Sequence, residues 1–144
     1  IIKIRSMSKL DNVTTSVTID GDIRITLLGR IFRKLKIDEL PQLINVLLGQ
    51  MSFVGPRPDV PGYADLLGED DKIMLSVRPG ITGPATIKYR NEEVLLAEKK
   101  DPESYNRNVI WPDKVRINKE YINNWSLSKD IGYIFSTLFS GIKS

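Results

Sequence analysis

Apolar positions come in blocks along the chain, and the blocks differ in period. Residues 1–7, Ile-Ile-Lys-Ile-Arg-Ser-Met, alternate apolar with basic or polar side chains in the manner of a half-buried strand. The pattern lapses over residues 8–22, where Asp11-Asn12, a run of Thr and Ser, and Asp20-Gly21 predict a long surface loop with a tight turn. From Ile23 to Lys36, Ile25, Leu28, Phe32 and Leu35 return at three- and four-residue intervals with Arg24, Arg30, Arg33, Lys34 and Lys36 between them. This spacing predicts a basic amphipathic helix. Asp38 then precedes Leu40, Leu43, Ile44 and Leu47, again at helical spacing. The reading is a short helix with Asp38 as N-cap, Glu39 as first helical residue, Pro41 in the tolerant first turn and Gly49 as the left-handed stop.

Met51-Ser-Phe-Val54 is a short apolar stretch that feeds Gly55-Pro56-Arg57-Pro58, where two prolines stiffen the backbone around one arginine. Residues 59–76 read as an amphipathic helix with Tyr63, Leu66, Leu67, Ile73 and Leu75 toward the core. Arg78-Pro-Gly-Ile-Thr-Gly83-Pro84 is a second rigid turn, Ala85 to Tyr89 a short strand candidate, and Glu92 to about Lys100 a charged helix broken by Asp101-Pro102. A loop is expected to lead to Trp111-Pro112-Asp113. Val115, Tyr121, Ile122 and Trp125 then mark a helix ending before Ser126. From Lys129 to Lys143 the chain is aromatic and weakly charged, which suits either docking on the core or an amphipathic helix at a lipid interface. The sum is an α+β fold, mainly helical with a few short strands, in a single compact domain over residues 1–144.

Composition narrows the chemistry. The 144 residues hold no Cys and no His, which excludes disulfides, thiolate nucleophiles, the usual zinc cages and every Ser-His or Cys-His arrangement. An enzyme built from this chain must work with carboxylates, Lys, Arg, Tyr or a hydrated hard cation such as Mg²⁺. The formal charge of +3 suits an anionic substrate or an anionic membrane surface, and no nucleic-acid motif accompanies it. No stretch is long and apolar enough to span a bilayer, a length of roughly 20 residues.

Two places could carry chemistry. A carboxylate at a helix start, as at Asp38, faces unpaired N–H donors in surroundings hospitable to phosphate, although acids in first turns are more often simple caps. Arg57, held between prolines, presents a planar fork suited to bidentate phosphate binding, and equally fits a rigid surface turn.

Taken in order, Lys3-Ile-Arg-Ser-Met7, the run Asp38-Glu-Leu-Pro-Gln-Leu-Ile-Asn-Val-Leu47, Met51-Ser-Phe-Val-Gly-Pro-Arg-Pro58 and Arg78-Pro-Gly-Ile-Thr-Gly83 resemble the bacterial sugar transferase family. These are monotopic polyprenyl-phosphate phosphoglycosyl transferases. The resemblance implies transfer of a sugar-1-phosphate from a UDP-sugar to a polyprenyl phosphate at the cytoplasmic face of the bacterial inner membrane, initiating capsule, exopolysaccharide or O-antigen assembly. It implies Asp38 as nucleophile, Glu39 as a ligand of Mg²⁺, Arg57 and Arg33 as phosphate-binding residues, and Arg78 and Arg90 as nucleotide or sugar contacts. It also implies that residues 1–144 are the catalytic part of a longer membrane-associated protein. The alternative from another class is a non-catalytic module that binds a membrane surface or an anion.

Overall fold

The computed structural model describes residues 1–8, 18, 21–34, 37–57 and 67–139, with the Lys34 side chain left aside. Leu35, Lys36, Pro58, Tyr63, Leu66, Lys143 and most of the expected 8–22 loop lie outside the described residues. The expectation of a mainly helical α+β chain holds, with one small parallel sheet.

The opening segment is not the expected strand. Only Met7 forms a bridge, antiparallel to Ile25, supported by Ser8 N–H to the Arg24 carbonyl at 2.8 Å and Thr26 N–H to the Ser6 carbonyl at 3.2 Å. Helix α1 runs over Leu27–Lys34 and begins later than the periodicity suggests. Thr26 sets its start: the hydroxyl accepts from Gly29 N–H at 2.9 Å, the bond expected of an N-cap. Ile25 is spent on the bridge and is unavailable to the helix.

A single 3-10 turn, Ile37–Glu39, precedes α2, Gln42–Leu47. Asp38 therefore sits within that turn instead of capping α2, whose flanking residue is Pro41. The proline accounts for the change, since its ring fixes φ at −61° and it has no N–H for a cap to receive. The predicted stop is correct: Gly49 has φ +71°, and the Gly49 and Gln50 amides close back on the Val46 and Asn45 carbonyls in a Schellman motif.

Strands β1, Ser52–Val54, and β2, Gly80–Thr82, pair in parallel with Ser52 opposite Gly80 and Val54 opposite Thr82. Their crossing is close because three glycines meet there. A Cβ on Gly80 would lie 2.2 Å from the Gly55 nitrogen, and one on Gly83 would lie 2.6 Å from the Gly55 carbonyl oxygen. Between the strands, Glu69–Ser76 forms 3-10 helix, and Met74 is buried in place of the expected Leu75. The threefold period of this helix explains the shift in face.

The strand expected at Ala85 to Tyr89 is helix α3, Pro84–Lys88, with Pro84 at the first turn, where its missing N–H costs nothing. Helices α4, Glu92–Ala97, and α5, Pro102–Tyr105, follow. Asp101 accepts the Ser104 amide at 3.0 Å, so Asp101-Pro102 starts a helix as well as ending one. The expected loop before Trp111 is a π-helical turn, Asn106–Ile110, leading straight into α6, Trp111–Asn123. Helix α7, Leu127–Phe139, closes the described chain.

The core gathers Leu67, Met74 and Val115 with Trp111 and Ile122 packed on it, while Leu96 and Ile110 are fully enclosed nearby. Asp113 ties α3 to α6 by accepting from Lys88 at 2.6 Å, Tyr89 at 2.7 Å and Arg116 at 2.8 Å. Asp130 ties α6 to α7 by accepting from the Tyr121 hydroxyl at 2.7 Å and the Trp125 indole at 2.9 Å. On its inner side, α7 also meets the sheet through Thr137 and Thr82, 2.6 Å apart.

Candidate active site

The two acids singled out in the sequence lie in one 3-10 turn, and both are buried, Asp38 to 2% exposure. Burial of adjacent carboxylates is costly unless cations and hydrogen bonds offset it. Two cations do so. Lys3 Nζ lies 3.3 Å from Asp38 Oδ2 and 3.7 Å from Glu39 Oε1, and the Arg57 guanidinium forks onto both oxygens of Glu39. One oxygen is left over. Among the described residues, Asp38 Oδ1 is buried with no hydrogen-bond partner.

Each member is placed by its backbone. Arg57 follows Pro56, whose carbonyl accepts Gly80 N–H at 2.9 Å, so the β1–β2 crossing sets where the guanidinium starts. Lys3 is placed by its two neighbours. Ile2 N–H donates to Asn45 Oδ1 at 2.9 Å and Ile4 N–H donates to the Asp38 carbonyl at 3.0 Å.

The other candidates lie in different settings. Arg33 pairs with Glu93 and approaches Met7 Sδ at 3.4 Å. Arg78 is exposed, and its guanidinium lies over Gly49, 3.9 Å from where a Cβ would stand. Arg90 is half-buried just beyond α3. The structure thus brings together Asp38, Glu39 and Arg57, and adds Lys3 and Asn45, to which the sequence reading gave no role. Their signal was faint: Lys3 alternates with apolar residues like any strand lysine. Asn45 and Gln42 are three apart on a helix whose leucines draw attention first.

Those leucines behave unexpectedly. Helix α2 buries its polar side, Gln42 and Asn45, and exposes Leu43, Ile44 and Leu47, the last at 86%. Leu40 and Leu48 are exposed beside them, as are Leu27, Leu28 and Ile31 on α1. The residues flanking the acids therefore carry an outward apolar surface.

The sequence profile described as bacterial sugar transferase matches residues 1–144, the whole chain. The chain belongs to the bacterial sugar transferase family. Among relatives of this chain, the UDP-glucose:undecaprenyl-phosphate glucose-1-phosphate transferase of Escherichia coli is 38% identical over 144 residues, covering 96% of this chain and 28% of the relative. The exopolysaccharide production protein ExoY of Sinorhizobium fredii is 36% identical over 124 residues, covering 86% and 48%. The undecaprenyl-phosphate galactose phosphotransferase of Salmonella typhimurium is 38% identical over 117 residues, covering 81% and 21%. The chain spans about half or less of the length of these relatives. Among its described residues no helix is long and apolar enough to cross a membrane.

Proposed function

We propose that this chain transfers a sugar-1-phosphate from a UDP-sugar to undecaprenyl phosphate or a similar polyprenyl phosphate, in the synthesis of a bacterial surface polysaccharide. The observation that carries the reading is the buried acidic pair with its two cations and one carboxylate oxygen unpartnered among the described residues, in a chain of this family. Names of relatives that specify undecaprenyl phosphate and a glucose or galactose phosphate support the substrate class.

In this reading Asp38 attacks the phosphorus that bears the sugar. A bond forms from Asp38 Oδ1 to phosphorus, the bond to the bridging oxygen breaks, and UMP leaves with the electron pair. An oxygen of the polyprenyl phosphate then attacks the same phosphorus and the Asp38 carboxylate is released. Splitting the transfer lets two bulky substrates use one site in turn. Arg57 supplies a forked donor pair for phosphate oxygens and exchanges Glu39 for substrate as the diphosphate arrives. Arg33, Arg78 and Arg90 belong to the proposal as further phosphate, nucleotide or sugar contacts.

The acidic pair fits Mg²⁺ of the kind that rides on a diphosphate, because such an ion takes one or two protein carboxylates and completes its shell with substrate oxygens and water. Glu39 would hold it, beside Asp38. Bound there, the ion would neutralise charge on the diphosphate. Among the described residues no set of three or more His, Cys, Asp or Glu forms a cage of its own.

A substrate carried on a lipid requires the site to meet a membrane, and the exposed leucines around Asp38 are suited to that contact. The cytoplasmic face is the side where UDP-sugars would be met. The deciding experiment follows UMP release by the intact protein in nanodiscs with Mg²⁺, undecaprenyl phosphate and a panel of UDP-sugars, beside Asp38→Asn. Release that depends on one sugar and vanishes in the variant is expected. Membrane binding without release from any sugar would replace this reading with a non-catalytic surface module.

A further inference from the structure

We infer that Lys3 stabilises Asp38 as a leaving group through Oδ2, and that Asn45 is the positioning residue that holds Lys3 in place. The inference rests on the transfer reaction proposed above and assigns to one of its two steps a residue that the reading had left without a role.

The two oxygens of Asp38 are not equivalent. Oδ2 faces the Lys3 ammonium at 3.3 Å, whereas Oδ1 is buried with no partner among the described residues. A buried acceptor left unsatisfied is costly, so its retention calls for a reason. An oxygen with no donor attached keeps its lone pairs for bonding to phosphorus once the arriving diphosphate has uncovered it. The division of labour follows: Oδ1 forms the bond, and Oδ2 stays with the ammonium throughout.

This division makes the two steps unequal. In the first, negative charge leaves the carboxylate as Oδ1 bonds to phosphorus, and a cation on Oδ2 gives no acceleration. In the second, a polyprenyl phosphate oxygen bonds to phosphorus, the bond from phosphorus to Oδ1 breaks, and the electron pair returns to the carboxylate. The Lys3 ammonium then lies beside the charge that develops, where a fixed cation is most effective.

A lysine on an exposed segment is a poor fixed cation unless its backbone is held, because its four-carbon stem is flexible. Residues 2 and 4 supply the hold on both sides, through Asn45 Oδ1 and the Asp38 carbonyl. Asn45 is itself oriented. It is buried, its Nδ2 donates to Gln50 Oε1 at 2.6 Å, and its carbonyl accepts the Gln50 and Met51 amides that end α2.

The test separates the steps in the intact protein in nanodiscs. Without polyprenyl phosphate, UMP release from a UDP-sugar stops after one equivalent and reports the first step; with undecaprenyl phosphate, steady turnover includes the second. Lys3→Met removes one of the two cations that offset burial of the acidic pair, so its melting temperature is measured beside the native protein and both assays are run below it. Its burst is expected to stay within about threefold of native, while turnover falls about 10–100-fold, the scale on which a fixed charge-stabilising group acts. Lys3→Arg restores most of the loss. Asn45→Ala slows turnover in the native background and adds nothing in Lys3→Met, which a merely structural role would not produce.

Native-like turnover in Lys3→Met, or burst and turnover falling alike, overturns the Lys3 assignment. A full additional loss from Asn45→Ala on Lys3→Met overturns the positioning role. Should Asn45→Ala melt below the assay temperature, the Lys3 variants decide alone. No UMP from the native protein defeats the reaction itself, a result distinct from any of these.

Discussion

At the residue scale, the behaviour of each polar group follows from what faces it. Asp38→Asn keeps shape and hydrogen-bonding size but removes the proposed nucleophile, so UMP release is expected to fall by about a thousandfold or more with melting temperature little changed. Arg57→Lys keeps the charge and loses the fork on Glu39, and a loss of about tenfold in kcat/KM is expected, measured on the same substrate. Away from the site, the Lys88, Arg116 and Tyr89 donors hold the Asp113 carboxyl far below its ordinary value of 3.8. A depressed folded value means stability that is complete above pH 3.8 and drains away as the pH falls toward the folded value. Tyr89 behaves oppositely: burial first, then its bond to Asp113, pushes its hydroxyl from 10.0 up to about 12, so its contribution is complete below pH 10.0 and is lost as the pH climbs to about 12. Denaturant midpoints measured across pH should show both limbs in the native protein, and Asp113→Asn should flatten the acid one. Exposure of Lys88 and Arg116 to solvent keeps the effect small.

At the scale of elements, the crossing of β1 and β2 decides more than its six residues suggest. Backbone meets backbone at Gly55, Gly80 and Gly83, and the Pro56 carbonyl held there is the last fixed point before Arg57. Gly80→Ala is expected to destabilise by about 1–3 kcal/mol, as forced overpacking does, and to weaken UDP-sugar binding beyond what the stability loss explains. Chemical denaturation and KM measure the two effects separately. This crossing was only partly legible in the sequence. Gly-Pro-Arg-Pro and the glycines around Ile81-Thr82 read as rigid turns, but that the two turns touch is long-range information which no local pattern holds. Gly49 was legible because a left-handed stop after a periodic run is a local matter. The strand misread at Ala85 to Tyr89 failed for the opposite reason, since five residues with Thr and Ile suit either conformation and Pro84 at the start of a helix decided the outcome.

For the whole molecule, the distribution of apolar surface is the main physical fact. Periodicity found where the leucines of α1 and α2 lie but not which way they face, because periodicity reports a face and not its partner. The structure turns Gln42 and Asn45 inward, with Asn45 holding the segment that carries Lys3, and the leucines outward. Leu47→Glu, at a position 86% exposed, should leave thermal stability within about 0.5 kcal/mol while reducing flotation with anionic vesicles. Phe135→Glu on α7 makes the comparison, since Phe135 and Phe139 stack on an exposed side of a helix whose inner side is docked at Tyr133 and Thr137. Equal loss in both variants would spread the contact over two surfaces. Loss in Leu47→Glu alone would confine it to the neighbourhood of Asp38.

The glycine crossing also bears on how a living cell would tolerate change. A side chain wedged between Gly55 and Gly80 leaves Asp38, Glu39 and Lys3 in their own turn and segment, while loosening the strands that deliver Arg57. On the proposed function, lesions at these glycines should therefore give conditional phenotypes, with polysaccharide made at low growth temperature and withheld at high. Lesions at Asp38 should be null at every temperature.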